Sequence, residues 1–530
     1  MVGQGLSCHR HYLGDVAAGS RWPAEIEDKV PPLMRRLAAI VLAIIVLLNT
    51  KPAFALPAGY ESSVRDYVES EMASLDIPGA AVVVVEGDEI VFAQGFGMAG
   101  RDQAVTPGTP FHIASVSKSL TAFGAMQQIE AGNLSLESRL GDLLPELVTG
   151  ETAPITVSNL IGHTTGWTVY DGLVNRVDPD LTATALESNV RRLLEAPLSH
   201  SVGEFEYSNA NYDVLGYLIE RVAGESFESY MTNQVFAPLE MSNSYASEAA
   251  AIEGGVADGH YPFLGIVRPR PMLYVPGSTP SAYLAASAED LGRFLIAHLN
   301  EGRYGQTQAL SPAGITALHQ PFFHYDSTAG YAGGLEFWPL WGSGEVAFDG
   351  EPRTYEVPMI LEHGGDSESY ASSILLVPAA EIGVVVLLNI NDESASSRFH
   401  QMHVGIANLL LGNEAPPTVQ FEGTLERYAR PILGMVIVLC ALRAVFSLLR
   451  WQRKGRTRPN FVRQVIIPAV IDVVLVAALW WLLVDSAQAP LTVVRQSVPD
   501  IVLLTIVSSV ILLGFAVVRT VLWSRRSHRA

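Results

Sequence analysis

The chain has 530 residues, 49% of them apolar, and a formal net charge of −20. That length allows a large buried core and more than one structural unit, and that apolar fraction directs attention to membrane segments. Its two cysteines, Cys8 and Cys440, exclude a disulfide framework or thiolate metal site in the central region, and the acidic surface there (47 acidic against 16 basic residues between Leu56 and Arg430, net −31) repels nucleic acid.

Residues 34–55 read MRRLAAIVLAIIVLLNTKPAFA. Two arginines, an apolar run and Ala53-Phe54-Ala55 form the three-part layout of a secretory signal peptide, with an uncleaved anchor as the alternative. Residues 1–33 fit no such pattern and are assigned no structure; an upstream start-codon choice, with Met34 the true start, is one reading of them, and the true start is left open. The region 56–425 mixes strands and helices. Ala81–Val85 and Ile90–Ala93 flank Glu86-Gly87-Asp88-Glu89 and predict a hairpin. Helices are predicted over Leu120–Ala131, Val157–Ile161, Tyr212–Ala223 and Ala288–Leu299. A second hairpin is predicted from Ser373–Val377 and Gly383–Asn389 around Pro378-Ala379-Ala380-Glu381, then an amphipathic helix over Ser396–Leu411. Strands at both ends with helices between predict an α+β domain: one antiparallel sheet flanked by helices, with a helical region inserted.

Three apolar runs follow in residues 426–530, at about 431–449, 465–484 and 501–522, each near the ~20 residues that span a bilayer. Arginines and a lysine crowd Arg450–Arg463, and Arg525, Arg526 and Arg529 end the chain. The positive-inside rule puts both segments in the cytoplasm and the domain before them outside, as a signal peptide requires. The helices thus contact membrane lipid and hold the domain at the outer face of the cytoplasmic membrane. Arg443 and Asp472 fall at similar depth on antiparallel neighbours, which predicts an ion pair; snorkelling of Arg443 is the alternative.

Lys118 is the single lysine between Leu56 and Arg430. An amine can lose its proton, whereas a guanidinium cannot in proteins. Ser115 precedes it by three residues, on the same helical face and near a helix N-terminus that favours negative charge. A desolvated lysine can serve as base toward that hydroxyl. Alone, Ser-x-x-Lys is also what a capping serine and a surface lysine give. Tyr207-Ser208-Asn209 stands just before a helix. A tyrosine near an ammonium can have its pKa lowered and shuttle protons, and Asn209 can orient Lys118 and a carbonyl. His363-Gly364-Gly365-Asp366 precedes a strand, where glycines let backbone N–H groups approach a ligand.

Ser-x-x-Lys, Tyr-x-Asn and His-x-Gly in this order, 92 and then 156 residues apart, resemble the motifs of class C β-lactamases and penicillin-binding-protein-like serine hydrolases (peptidase S12-like). Ile77-Pro78-Gly79-Ala80, Gly95-Phe96-Gly97 and Ile155-Thr156-Val157 through His163-Thr164-Thr165-Gly166 extend the likeness across about Met72 to Gly412. The resemblance implies a β-lactamase/transpeptidase-like fold and a covalent acyl-enzyme. It implies Ser115 as nucleophile, Lys118 as its base and Tyr207 as base or proton relay. It also implies the backbone N–H groups of Ser115 and Asp366 as oxyanion hole, with Asn209, His363 and Gly365 around the substrate. His163 and Thr164–Gly166 are expected to be structural. The third motif usually begins with lysine, which pairs with a substrate carboxylate. His363 is only partly charged near neutral pH, which favours small-molecule or peptide esters and amides lacking that carboxylate.

The domain-plus-three-helix layout also resembles periplasmic peptidases that remove an N-acyl-D-amino-acid cap from prodrug natural products, such as the colibactin-maturation peptidase. D-Ala-D-Ala carboxypeptidase, β-lactamase and a non-catalytic cell-wall sensor are the alternatives. No cofactor or metal is expected: His400 and His403 share a helix face without a third ligand. The oligomeric state is left open.

Overall fold

The computed structural model describes residues 55–148, 150–340, 358–392, 397–415, 424–453, 461–487 and 489–527. The chain divides into Met1–Ala55 and Leu56–Ala530. Apart from Ala55, the predicted signal peptide and the extension before it lie outside the described residues.

Helix α1 (Tyr60–Leu75) leads into strands β1 (Gly79–Glu86), β2 (Glu89–Gly100) and β3 (Gln103–Ala104). Far along the chain come β4 (Phe323–His324), β5 (Gly330–Tyr331), β6 (Glu336–Pro339), β7 (Met359–Asp366), β8 (Ala371–Val377) and β9 (Ile382–Leu388). Together they form a nine-stranded antiparallel sheet, ordered β4-β5-β6-β7-β8-β9-β1-β2-β3. Both predicted hairpins are present, and β1 pairs with β9 in the register Ala80↔Leu388 to Glu86↔Ile382. The sheet is therefore closed by the two ends of the domain. The central strands β1, β8 and β9 are near-continuous apolar runs because both faces are covered. Helix α5 (Ala288–Leu299) packs on one side, while α1 and α6 (Met402–Leu410) cover strands from the other helical layer.

Between β3 and β4 lies the inserted helical region, including α2 (Ser117–Glu130), α3 (Val157–Ile161) and α4 (Asn209–Ala223). Helix α4 starts three residues earlier than the apolar pattern predicts, because the Ser208 hydroxyl caps it by accepting from the Ala210 N–H. The helix expected over Ser396–Leu411 is two pieces, Ser397–His400 and α6, interrupted at Gln401.

The expected three membrane spans require a correction. Helices α7 (Thr424–Arg453), α8 (Ile467–Ala487), the short α9 (Leu491–Ser497) and α10 (Pro499–Ser527) follow the domain. Three spans are expected from the sequence. Among the described residues two helices are long and apolar enough to cross a membrane, over Ile467–Val484 and Pro499–Arg525. In α7 the described apolar stretch is Arg430–Leu439, ten residues bounded by Arg430 and followed by Arg443, too short alone to cross. The predicted ion pair is present: Arg443 lies 2.7 Å from Asp472, and Arg519 of α10 approaches the other carboxylate oxygen at 4.0 Å. The Trp480 indole donates to Ser509 at 3.1 Å, tying α8 to α10.

Candidate active site

Ser115 sits in a 3-10 turn, Ala114–Val116, that runs directly into α2. Ala114 has φ +43°, a left-handed conformation that costs an alanine on the order of 1 kcal/mol. The sheet holds this turn in place. The Ser372 hydroxyl of β8 donates to the Ile113 carbonyl at 2.6 Å. A Cβ on Gly365 of β7 would stand 2.3 Å from that carbonyl oxygen and 2.2 Å from the Ser372 hydroxyl. Only glycine permits this approach of β7 to the serine turn, a packing reason for Gly365.

The spacing of three brings Lys118 to Ser115 as expected: Nζ donates to Oγ at 3.0 Å. Two distant groups complete the ammonium's coordination. Asn209 Oδ1, at the start of α4, accepts at 2.8 Å, and the Ser281 carbonyl accepts at 2.8 Å. Lys118 is fully buried, and burial lowers its pKa to about 7, against the opposing pull of Asp213. The amine is therefore available in its neutral form near neutrality, in contact with a hydroxyl.

Tyr207 is brought to the same place. Lys118 Nζ lies 4.7 Å from its ring centroid, and Ser115 acts on its hydroxyl to lower the pKa, against the larger effect of burial. Its expected ionisation is not found in this state. Burial holds its pKa well above the ordinary tyrosine value, and Lys118 beside it is close to losing its own charge. Tyr207 is a neutral hydroxyl here, able to donate and accept. The His163 ring lies 4.5 Å from it. His163 itself has φ +56°, and its Nδ1 accepts the Ser208 N–H at 3.2 Å beside the Asn211 amide at 2.8 Å. It thus braces the turn that carries Tyr207.

His363 lies on β7, with Nδ1 against its neighbouring Gly364 carbonyl at 2.6 Å and Nε2 3.3 Å from the Tyr331 hydroxyl. The sequence suggested partial charge. Burial, reinforced by Lys118, lowers its pKa to about 3, so the ring is neutral. Asp366 ends β7 with a carboxylate that accepts from Asn391 at 2.8 Å and pairs with His400 at 2.6 Å. His403 pairs with Glu362 instead. Among the described residues no group of three or more His, Cys, Asp or Glu could hold a metal ion.

Two contributors were missed from sequence. Asp213, one turn along α4 from Asn209, is fully buried and accepts from Asn189 and Ser278, both at 2.9 Å. Burial raises its pKa to about 7. An acid within the apolar stretch Tyr212–Ile219 was a legible signal. The Ser281 contact was not, because a backbone carbonyl has no residue signature. Ser115, Asn209 and Asp366 line one cavity of about 690 Å³.

The Beta-lactamase family model matches residues 64–407. Protein flp of Staphylococcus aureus (strain COL) is 26% identical over 361 residues, 66% of this chain and 67% of that protein. Penicillin-binding protein 4 of Amycolatopsis lactamdurans is 28% identical over 352 residues, 64% of this chain and 87% of that protein. The class C beta lactamase structure from Rhodobacter sphaeroides superposes with a TM-score of 0.54 at 22% identity, over 66% of this chain and 98% of that one. The matched span contains all the motifs and the whole described sheet, more than half of the 530 residues, and the chain belongs to the beta-lactamase family.

Proposed function

We propose that this protein is a serine hydrolase that cleaves amide or ester bonds through an acyl-enzyme on Ser115, tethered by its C-terminal helices with the hydrolase domain outside the cytoplasm. The observation that carries the chemistry is a buried amine, near neutrality, 3.0 Å from the Ser115 hydroxyl. Lys118 takes the hydroxyl proton as Oγ attacks the carbonyl carbon. The Ser115 and Asp366 N–H groups receive the developing oxyanion, a role supported by the close approach that Gly365 allows between β7 and the serine turn. Tyr207 passes a proton to the leaving group and then orients the water that releases the acyl group. Asn209 fixes both Lys118 and the substrate carbonyl.

The neutral His363 bears on substrate. A carboxylate that a lysine would hold finds no positive charge on this side chain. Neutral amides, esters and capped peptides, D-amino-acid peptides among them, fit this site better than penicillin-type acids.

The test is labelling of the full chain with a fluorophosphonate and a fluorescent penicillin, wild type against Ser115→Ala. A Ser115-dependent fluorophosphonate adduct, with weak penicillin labelling, is expected. Absence of any such adduct refutes the enzyme and leaves the binding-sensor alternative. Hydrolysis of D-amino-acid peptides, acyl-D-asparagine amides, short esters and a chromogenic cephalosporin then ranks the substrates.

A further inference from the structure

The cavity that holds Ser115 does not end in the hydrolase domain. One end is lined by Ser115, Asn209 and Asp366, the other by Ile432, Leu483, Val494 and Ile501 from α7–α10. All four helical elements contribute at the ends nearest the hydrolase domain. Leu173 of that domain packs against a small core of Ala489, Val493, Val494 and Val502. Ile432 and Leu482, both in the cavity wall, are 46% and 51% exposed, so the cavity is open at this apolar end.

A buried polar lock fixes this arrangement. The Asp500 carboxylate, fully buried at the head of α10, accepts from the Tyr261 hydroxyl at 2.7 Å, the Leu264 N–H at 3.1 Å and Arg430 Nε at 2.7 Å. Arg430 reaches on to Asp392 at 2.8 Å. Tyr261, Leu264 and Asp392 belong to the hydrolase domain, and Arg430 and Asp500 to the helices. A charge network of this burial is costly to break, so the domain is seated on the helices in one orientation and the shared cavity is a built feature.

We infer that the substrate is an amphiphile whose apolar chain lies between the helix ends while its polar scissile group reaches Ser115. This rests on the serine-hydrolase reading above and names its substrate class. The helices then serve as part of the substrate site, and the outer leaflet is the route of entry. An apolar chain in this space gains contacts with Leu482, Leu483 and Val494, whereas a short polar substrate leaves the space unused.

The test measures Ser115 labelling rates with n-alkyl fluorophosphonates from ethyl to octyl, held below their micellar concentrations, on the full chain in one detergent. In each adduct Ser115 Oγ bonds phosphorus, fluoride leaves and Lys118 takes the proton. Apolar burial is worth about a three- to fourfold gain per fully buried methylene, so a rise of at least tenfold from ethyl to octyl is expected. Val494→Trp and Leu482→Trp, which add bulk at a buried and an exposed position of the cavity wall, should each cut the octyl-to-ethyl ratio at least threefold. The second position is surface-exposed and keeps the test open where the first variant fails to fold. Equal labelling at all lengths overturns the inference and leaves the hydrolase reading intact. So does a length dependence unchanged in the folded variants, which marks partition into detergent or a resident lipid in the cavity. No labelling at any length overturns both.

Discussion

The proton on Lys118 is the most direct handle on the mechanism. Its pKa falls from 10.5 to about 7 because the amine is fully buried. If the neutral amine is the base, the labelling rate follows its unprotonated fraction. Between pH 5.5 and pH 8.5 that fraction, and the rate constant, should rise about 30-fold with a midpoint near 7. Stability carries the same information with a definite sign. The folded state binds this proton less readily than the unfolded state between about pH 7 and 10.5. The stabilising contribution is full above 10.5 and is lost as pH falls through 7, with a limit on the order of 5 kcal/mol. Wild type should therefore gain stability relative to Lys118→Met between pH 7 and pH 10, measured by thermal unfolding in detergent. Lys118→Arg, which cannot deprotonate, should label roughly 10²–10⁴-fold more slowly. A rate midpoint near 10, a flat profile, or an unchanged midpoint in Lys118→Arg refutes the assignment of Lys118 as base.

The neighbouring residues give three more predictions. The Asp213 charge holds the Lys118 pKa up, so Asp213→Asn should move the acid limb of the labelling profile to lower pH; no movement removes Asp213 from the site's electrostatics. Gly365→Ala places a methyl 2.3 Å from the Ile113 carbonyl and should cost about 1–3 kcal/mol in stability together with most of the labelling rate, read by thermal unfolding and probe kinetics. Asp472→Asn leaves Arg443 and Arg519 facing each other without their shared carboxylate and should lower the yield of monodisperse protein in detergent; an unchanged yield and melting temperature count against the pair as a structural element.

How much was legible depends on the range of the interaction. Both hairpins are written in adjacent apolar runs, and their sheet partners follow once the two ends must share a core. The three-residue spacing of Ser115 and Lys118 fixes their proximity through helix geometry alone, and the structure finds them 3.0 Å apart. Alternation and motif order are local properties, which the order of side chains carries directly. Charge state is not. Lys118 is near neutral because residues 91 and 163 positions away enclose it, and His363 is neutral because the same packing removes it from water. Tyr207 was expected to lose its proton more easily beside an ammonium, but desolvation prevails. The end of the C-terminal helical segment nearest the site tells the same story. Apolar runs mark helices in sequence, whereas only the tertiary structure places their ends in the wall of the cavity that Ser115 opens into. The amino-acid order thus determined which chemical groups stand together; burial, a collective property of the whole fold, decided their protonation and what substrate space surrounds them.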